Sequence, residues 1–203
     1  MKQLPNIITL SRVPSLFVIA LFAIWDVRWG ATIAFSLFIL ASVSDFLDGW
    51  LARRLGVVSN FGKLMDALTD KILNVGLLVF LLVWPQPPST PMLPWYCVFF
   101  VILILTRELL ITGLRLVAAS SNIVLAAERS GKVKTVLQII AIAALLLVNA
   151  AQRDWNCPAE YTGKMQWAAL ACFFAATLLT VTSGAGYLVK YWHIFMDEPP
   201  QKG

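Results

Sequence analysis

Six apolar stretches, each close to the length needed to cross a bilayer, constrain this chain more than any other feature. They run over roughly residues 7–27, 31–54, 61–84, 93–118, 132–151 and 165–190. About 20 mostly apolar residues are enough, because ~30 Å of hydrocarbon is crossed at 1.5 Å per helical residue. Burial in a water-soluble core is not an alternative. With 59% hydrophobic and 13% charged residues, the chain lies far from the ~45–50% apolar and ~25% charged of soluble domains. A soluble fold of 203 residues has too little interior for so much apolar side chain. The expected fold is all-α: a polytopic membrane protein, a six-transmembrane-helix bundle, forming one domain over residues 1–203. The first stretch starts near Met1 and runs directly into the second, so a cleaved signal peptide is not expected.

Basic residues orient the bundle. If both ends share one side, that side holds Lys2, Arg12, Arg53, Arg54, Lys63, Arg107, Arg115, Arg129, Lys132, Lys134, Lys190 and Lys202. The other holds only Arg28, Arg153 and Lys164. The positive-inside rule places both termini in the cytoplasm. Trp25, Trp29, Trp84, Trp95, Trp155 and Trp167 fall at the opposite interface, where amphipathic rings are comfortable. The net charge of +5 therefore belongs to the face toward cytosol and anionic headgroups, and no nucleic-acid partner is expected. Cys97, Cys157 and Cys172 are too scattered for a disulfide framework or thiolate metal site. The one histidine, His193, reads as a solvated tail residue.

Four acids break the apolar pattern of the second and third spans. Asp45, Asp48, Asp66 and Asp70 lie several residues from the turn through Gly56 to Asn60. Each costs at least ~2.5–3.5 kcal/mol at membrane depth. Asp45 and Asp48 are three apart, and Asp66 and Asp70 four apart, so each pair shares a helix face. In an antiparallel hairpin about that turn, both pairs lie at matching depth, about 15 Å along the helices from it. Like charges so gathered repel unless cations join them. With only oxygen donors at hand, those cations are expected to be hard divalent ions, Mg²⁺ or Mn²⁺. Four carboxylates suffice for two ions, a recurring device for phosphoryl displacement.

In this order, Asp45-x2-Asp48-Gly49-x2-Ala52-Arg53-x8-Gly62-x3-Asp66-x3-Asp70 resembles the signature of the CDP-alcohol phosphatidyltransferases, with every gap matched. The resemblance implies a six-helix membrane bundle, usually dimeric, whose active site opens to the cytoplasm. It implies metal ligation by Asp45, Asp48, Asp66 and Asp70, with Asp70 also the general base that deprotonates the acceptor alcohol. It places Gly49, Ala52, Arg53 and Gly62 at the CDP-lipid, joined near the amino terminus by Asn6 and Thr9. The implied reaction is direct attack of an alcohol on the lipid-linked phosphorus, releasing CMP.

The rest of the chain narrows the alcohol. Glu108, Thr112 and Arg115 form one stripe on the fourth span, with Arg107 adjacent, and Gly131, Lys134, Thr135 and Gln138 form another on the fifth. Arg107, Arg115, Lys132 and Lys134 thus collect on the side where the acids open. An acceptor bearing its own phosphate needs several cations; serine or inositol does not. The pieces N-x2-T-x2-R (from Asn6), R-E-x6-R (from Arg107) and G-K-x-K-T-x2-Q (from Gly131) resemble the bacterial phosphatidylglycerophosphate synthases of that family. The implied substrates are CDP-diacylglycerol and sn-glycerol 3-phosphate, in the bacterial inner (plasma) membrane among its lipids. No motif is legible beyond Ala151, and that segment is expected to supply packing. Rival readings are the same chemistry with inositol phosphate, phosphatidylglycerol or serine, and a cation-coupled transporter. A transporter should show inverted halves or broken helices, whereas these acids lie in one hairpin near one surface.

Overall fold

A computed structural model describes the backbone of residues 4–55, 60–86, 90–91, 93–120 and 129–191, and side chains for 12–45, 69, 71–84, 93–118 and 131–191. The described residues form six helices: α1 Leu4–Ile24, α2 Gly30–Leu55, α3 Asn60–Val83, α4 Cys97–Ser120, α5 Arg129–Arg153 and α6 Ala159–Tyr191. Every apolar stretch became one helix. α6 begins before its apolar run because Glu160 and Lys164 carry the first turns as an i,i+4 ion pair at 2.7 Å, which a hydropathy window passes over. The purely helical expectation needs one small correction. In the proline-rich link, Pro85–Gln86 pairs antiparallel with Thr90–Pro91. Prolines there end α3 and delay α4 to Cys97, whose amide donates to the Pro94 carbonyl at 2.8 Å.

Among the described residues, α4, α5 and α6 hold continuous apolar spans long enough to cross a membrane: Cys97–Ala118, Gly131–Arg153 and Ala159–Tyr191. The described parts of the other three, Arg12–Ile24, Gly30–Asp45 and Lys71–Val83, are apolar but shorter. The protein is therefore a helical membrane protein by composition as well as by fold.

Packing sets the order of helices around the bundle. α1 lies against α2 and α3, α2 against α5, α5 against α6, α6 against α4, and α4 against α3, with α3 also touching α5. The ring runs α1–α2–α5–α6–α4–α3 and closes. Its core is aliphatic and aromatic, with Ile19, Phe38, Leu77, Leu81, Ile104, Leu145 and Phe173 buried. Leu16 of α1 seats its methyl groups against Gly76 of α3, where a Cβ would stand 2.6 Å from Leu16 Cδ2.

The end of the bundle bearing the tryptophans is tied by charge. Asp154, just past α5, accepts from the Thr32 amide and hydroxyl, both at 2.7 Å, capping the first turn of α2. Arg153 donates to the Ala23 and Trp25 carbonyls at the end of α1, groups a helix terminus leaves without intrahelical donors. Trp25, Trp29, Trp84, Trp95, Trp155 and Trp167 are all substantially exposed at or near this end, as an interfacial belt requires.

Candidate active site

Helices α2 and α3 are each continuous through their acidic positions, so the three- and four-residue spacings do put each pair of aspartates on one face. Asp45 is the one member of the quartet whose side chain is described. It is one-third exposed and forms an ion pair with Arg12 of α1. Arg12 is 5% exposed, so it does not simply reach for solvent. A buried guanidinium is tolerable at this depth when a carboxylate meets it. The side chains of Asp48, Asp66, Asp70, Asn6, Thr9, Gly49, Ala52, Arg53 and Gly62 lie outside the described residues, as does the turn with Gly56. The donors the sequence brings here are carboxylate oxygens. No imidazole lies among the described residues, and the three thiols, Cys97, Cys157 and Cys172, belong to other elements. That donor set fits Mg²⁺ or Mn²⁺.

A second polar centre lies among the described residues. Glu108 of α4 is 6% exposed and Lys134 of α5 3% exposed, and the two are ion-paired. Lys71 of α3 approaches the same carboxylate at 3.8 Å and Arg107 at 3.4 Å. Lys71 also donates to the Thr112 hydroxyl, which donates in turn to the Glu108 carbonyl at 2.6 Å. Three cations from three helices thus gather around one described carboxylate. Lys71 follows Asp70 directly on α3.

The remaining predicted basic residues fall differently. Arg107 reaches past Glu108 to Ser183 of α6, donating at 3.1 Å. Arg115, two turns along α4, donates to the Tyr187 hydroxyl at 3.4 Å and lies 5.4 Å from that ring's centroid, within the ~6 Å of a cation–π contact. Lys132 is exposed and joins none of these contacts among the described residues. Gln138 donates to the buried Thr180 hydroxyl at 3.3 Å.

Sequence reasoning named Glu108 and Thr112 only as a stripe and left Lys71 unassigned. It gave α6 a packing role alone. Thr180, Ser183, Gly184 and Tyr187 recur at helical spacing and are buried, a polar stripe on an apolar helix that was the available signal.

Comparison with known proteins adds an independent line. The family model described as CDP-alcohol phosphatidyltransferase matches residues 2–196. A CDP-diacylglycerol–glycerol-3-phosphate 3-phosphatidyltransferase of Bacillus subtilis is 39% identical, over 95% of this chain and 96% of its own length. One of the same name from Arabidopsis thaliana, chloroplastic/mitochondrial, is 34% identical over 95% of this chain and 64% of its own. Another, from Rickettsia typhi, is 35% identical over 72% of this chain and 78% of its own.

Proposed function

Because the chain belongs to the CDP-alcohol phosphatidyltransferase family, we propose that it moves a phosphatidyl group from CDP-diacylglycerol to sn-glycerol 3-phosphate, giving phosphatidylglycerol phosphate and CMP. The observation that carries the choice of acceptor is the basic centre. Lys71, Arg107 and Lys134 converge on Glu108 from three helices, one of them the helix that carries Asp66 and Asp70. A dianionic phosphate suits that centre, while a neutral alcohol has no use for it. The names of the relatives point the same way.

The chemistry follows from the residues. Asp45, Asp48, Asp66 and Asp70 would hold two divalent ions, Mg²⁺ or Mn²⁺. When bound, these lower the cost of charge on the diphosphate and on the departing CMP. Asp70 accepts the proton of the acceptor hydroxyl, whose oxygen then bonds to the lipid-linked phosphorus as the bond to CMP breaks. Gly49, Ala52 and Gly62 leave room for the nucleotide and diphosphate, and Arg53 grips the latter. Asn6 and Thr9 complete this side of the site. Arg107, Arg115 and Lys134, with Lys132 at the rim, hold the acceptor phosphate so that its hydroxyl faces the phosphorus.

Membrane placement belongs to the same proposal. Six crossings, with both termini and the active site cytoplasmic, fit the basic residues that collect at one end and the exposed tryptophans at the other. A bacterial plasma membrane, and a homodimer within it, are the setting that the family resemblance implies.

The test is to incubate purified protein with CDP-diacylglycerol, Mg²⁺ and labelled alcohols. Label should enter lipid from glycerol 3-phosphate. Efficient incorporation of serine or inositol would overturn the assignment.

A further inference from the structure

The carboxy-terminal half of α6 carries a buried stripe of Thr180, Ser183, Gly184 and Tyr187, spaced so that all four share one helix face. Each meets a polar side chain of α4 or α5. Ser183 Oγ accepts from Arg107 at 3.1 Å. Tyr187 accepts from Arg115 at 3.4 Å and lays its ring beneath that guanidinium. Thr180 accepts from Gln138 at 3.3 Å. Gly184 contributes by having no side chain, since a Cβ there would stand 2.7 Å from Arg107 Cγ and 3.1 Å from Nε. Cγ lies near the root of a long side chain, so any residue larger than glycine must displace the whole arginine.

Packing alone does not call for this arrangement. A helix that only filled space would present apolar groups inward, as α6 does with buried Phe173 and Ala176 further toward its start. Instead, hydroxyls sit where arginine donors point, and a glycine sits where an arginine stem passes. From this we infer that α6 is part of the acceptor subsite: Ser183, Gly184 and Tyr187 are positioning residues that fix Arg107 and Arg115, and through them the acceptor phosphate. The inference rests on the proposal that those arginines bind that phosphate. It assigns a role in substrate selection to a segment in which no motif is legible.

The test is a double-mutant cycle on the full-length protein in mixed micelles, varying each substrate at saturating concentration of the other. Gly184→Ala should raise KM for glycerol 3-phosphate roughly tenfold, the effect of weakening one charge-assisted bond, and leave KM for CDP-diacylglycerol unchanged. In an Arg107→Ala background the same substitution should add nothing, because its effect runs through the arginine. Gly186→Ala on the open side of α6, where a Cβ meets nothing within 4 Å, serves as control and should be silent. If Gly184→Ala lowers the folded yield, Ser183→Ala, which adds no bulk, makes the same comparison. Equal loss for both substrates, no loss, or an additive loss in the Arg107→Ala background would overturn the inference. If Arg107→Ala itself leaves acceptor kinetics unchanged, the reading beneath fails instead, and that result is distinguishable because it does not involve α6.

Discussion

Burying Glu108 among Lys134, Lys71 and Arg107 makes these residues depend on one another. Each charge is expensive at this depth alone and tolerable only with its partners. Glu108→Ala should therefore destabilise the protein by about 3–5 kcal/mol, the usual cost of stranding a buried ion. Adding Lys134→Met to that variant should recover part of the loss, since it removes an ammonium that has lost its Glu108 carboxylate. Unfolding in detergent compares the two, and a double variant weaker than Glu108→Ala would show that the pair is not the coupled unit described. The acids make a separate prediction. Asp66→Asn, or addition of EDTA to the wild type, should abolish turnover, and full activity in metal-free protein would end the two-ion reading. Arg107→Ala and Arg115→Ala should each raise KM for glycerol 3-phosphate about tenfold to a hundredfold. Arg53→Ala should act instead through the CDP-lipid. At this scale the sequence revealed which residues carry charge in the wrong place, because the cost of burial makes them conspicuous. It did not reveal their partners: that Arg12 meets Asp45, or that Lys71 meets Glu108 and Thr112, depends on helices adjacent in space and distant in sequence.

Helices were the most legible level. A bilayer-length apolar run leaves little choice of structure, so six stretches yielded six helices with ends displaced by a few residues. The displacements have local causes: proline between α3 and α4, and a charged amphipathic turn opening α6. What could not be read was the ring order, because lipid-facing and protein-facing aliphatic residues look alike in sequence. The polar stripe of α6 was passed over for a related reason. Threonine and serine in a membrane helix usually bond their own backbone, as Thr177 does to Phe173 at 2.9 Å and Thr182 to Leu178 at 2.9 Å. Only tertiary contacts separate those from Ser183 and Tyr187. The clasp at the tryptophan end is also an element-scale device. Asp154→Ala removes the cap of α2 and should cost ~1 kcal/mol, measurable as a lower unfolding midpoint. Because it lies at the end of the bundle away from the acids, KM for both substrates should be unchanged; a shift in either would mean that the two ends are coupled.

At the scale of the whole molecule, the ring of helices packs α2 and α3, which carry the acidic positions, on α1, and gathers a basic centre from α3, α4 and α5 that α6 braces. The central claim is that one site holds both substrates together and passes the phosphatidyl group directly from one to the other. Ser183, the serine at the basic centre, accepts from Arg107 and donates to the Thr180 carbonyl, and direct transfer asks no nucleophile of it. Rapid-quench measurement of CMP in a single turnover, with and without glycerol 3-phosphate, tests this most directly. The account predicts CMP release only when the acceptor is present, at a rate matching phosphatidylglycerol phosphate formation. A burst of CMP stoichiometric with protein in the absence of acceptor would contradict it, because the phosphatidyl group would then have been transferred to the chain itself.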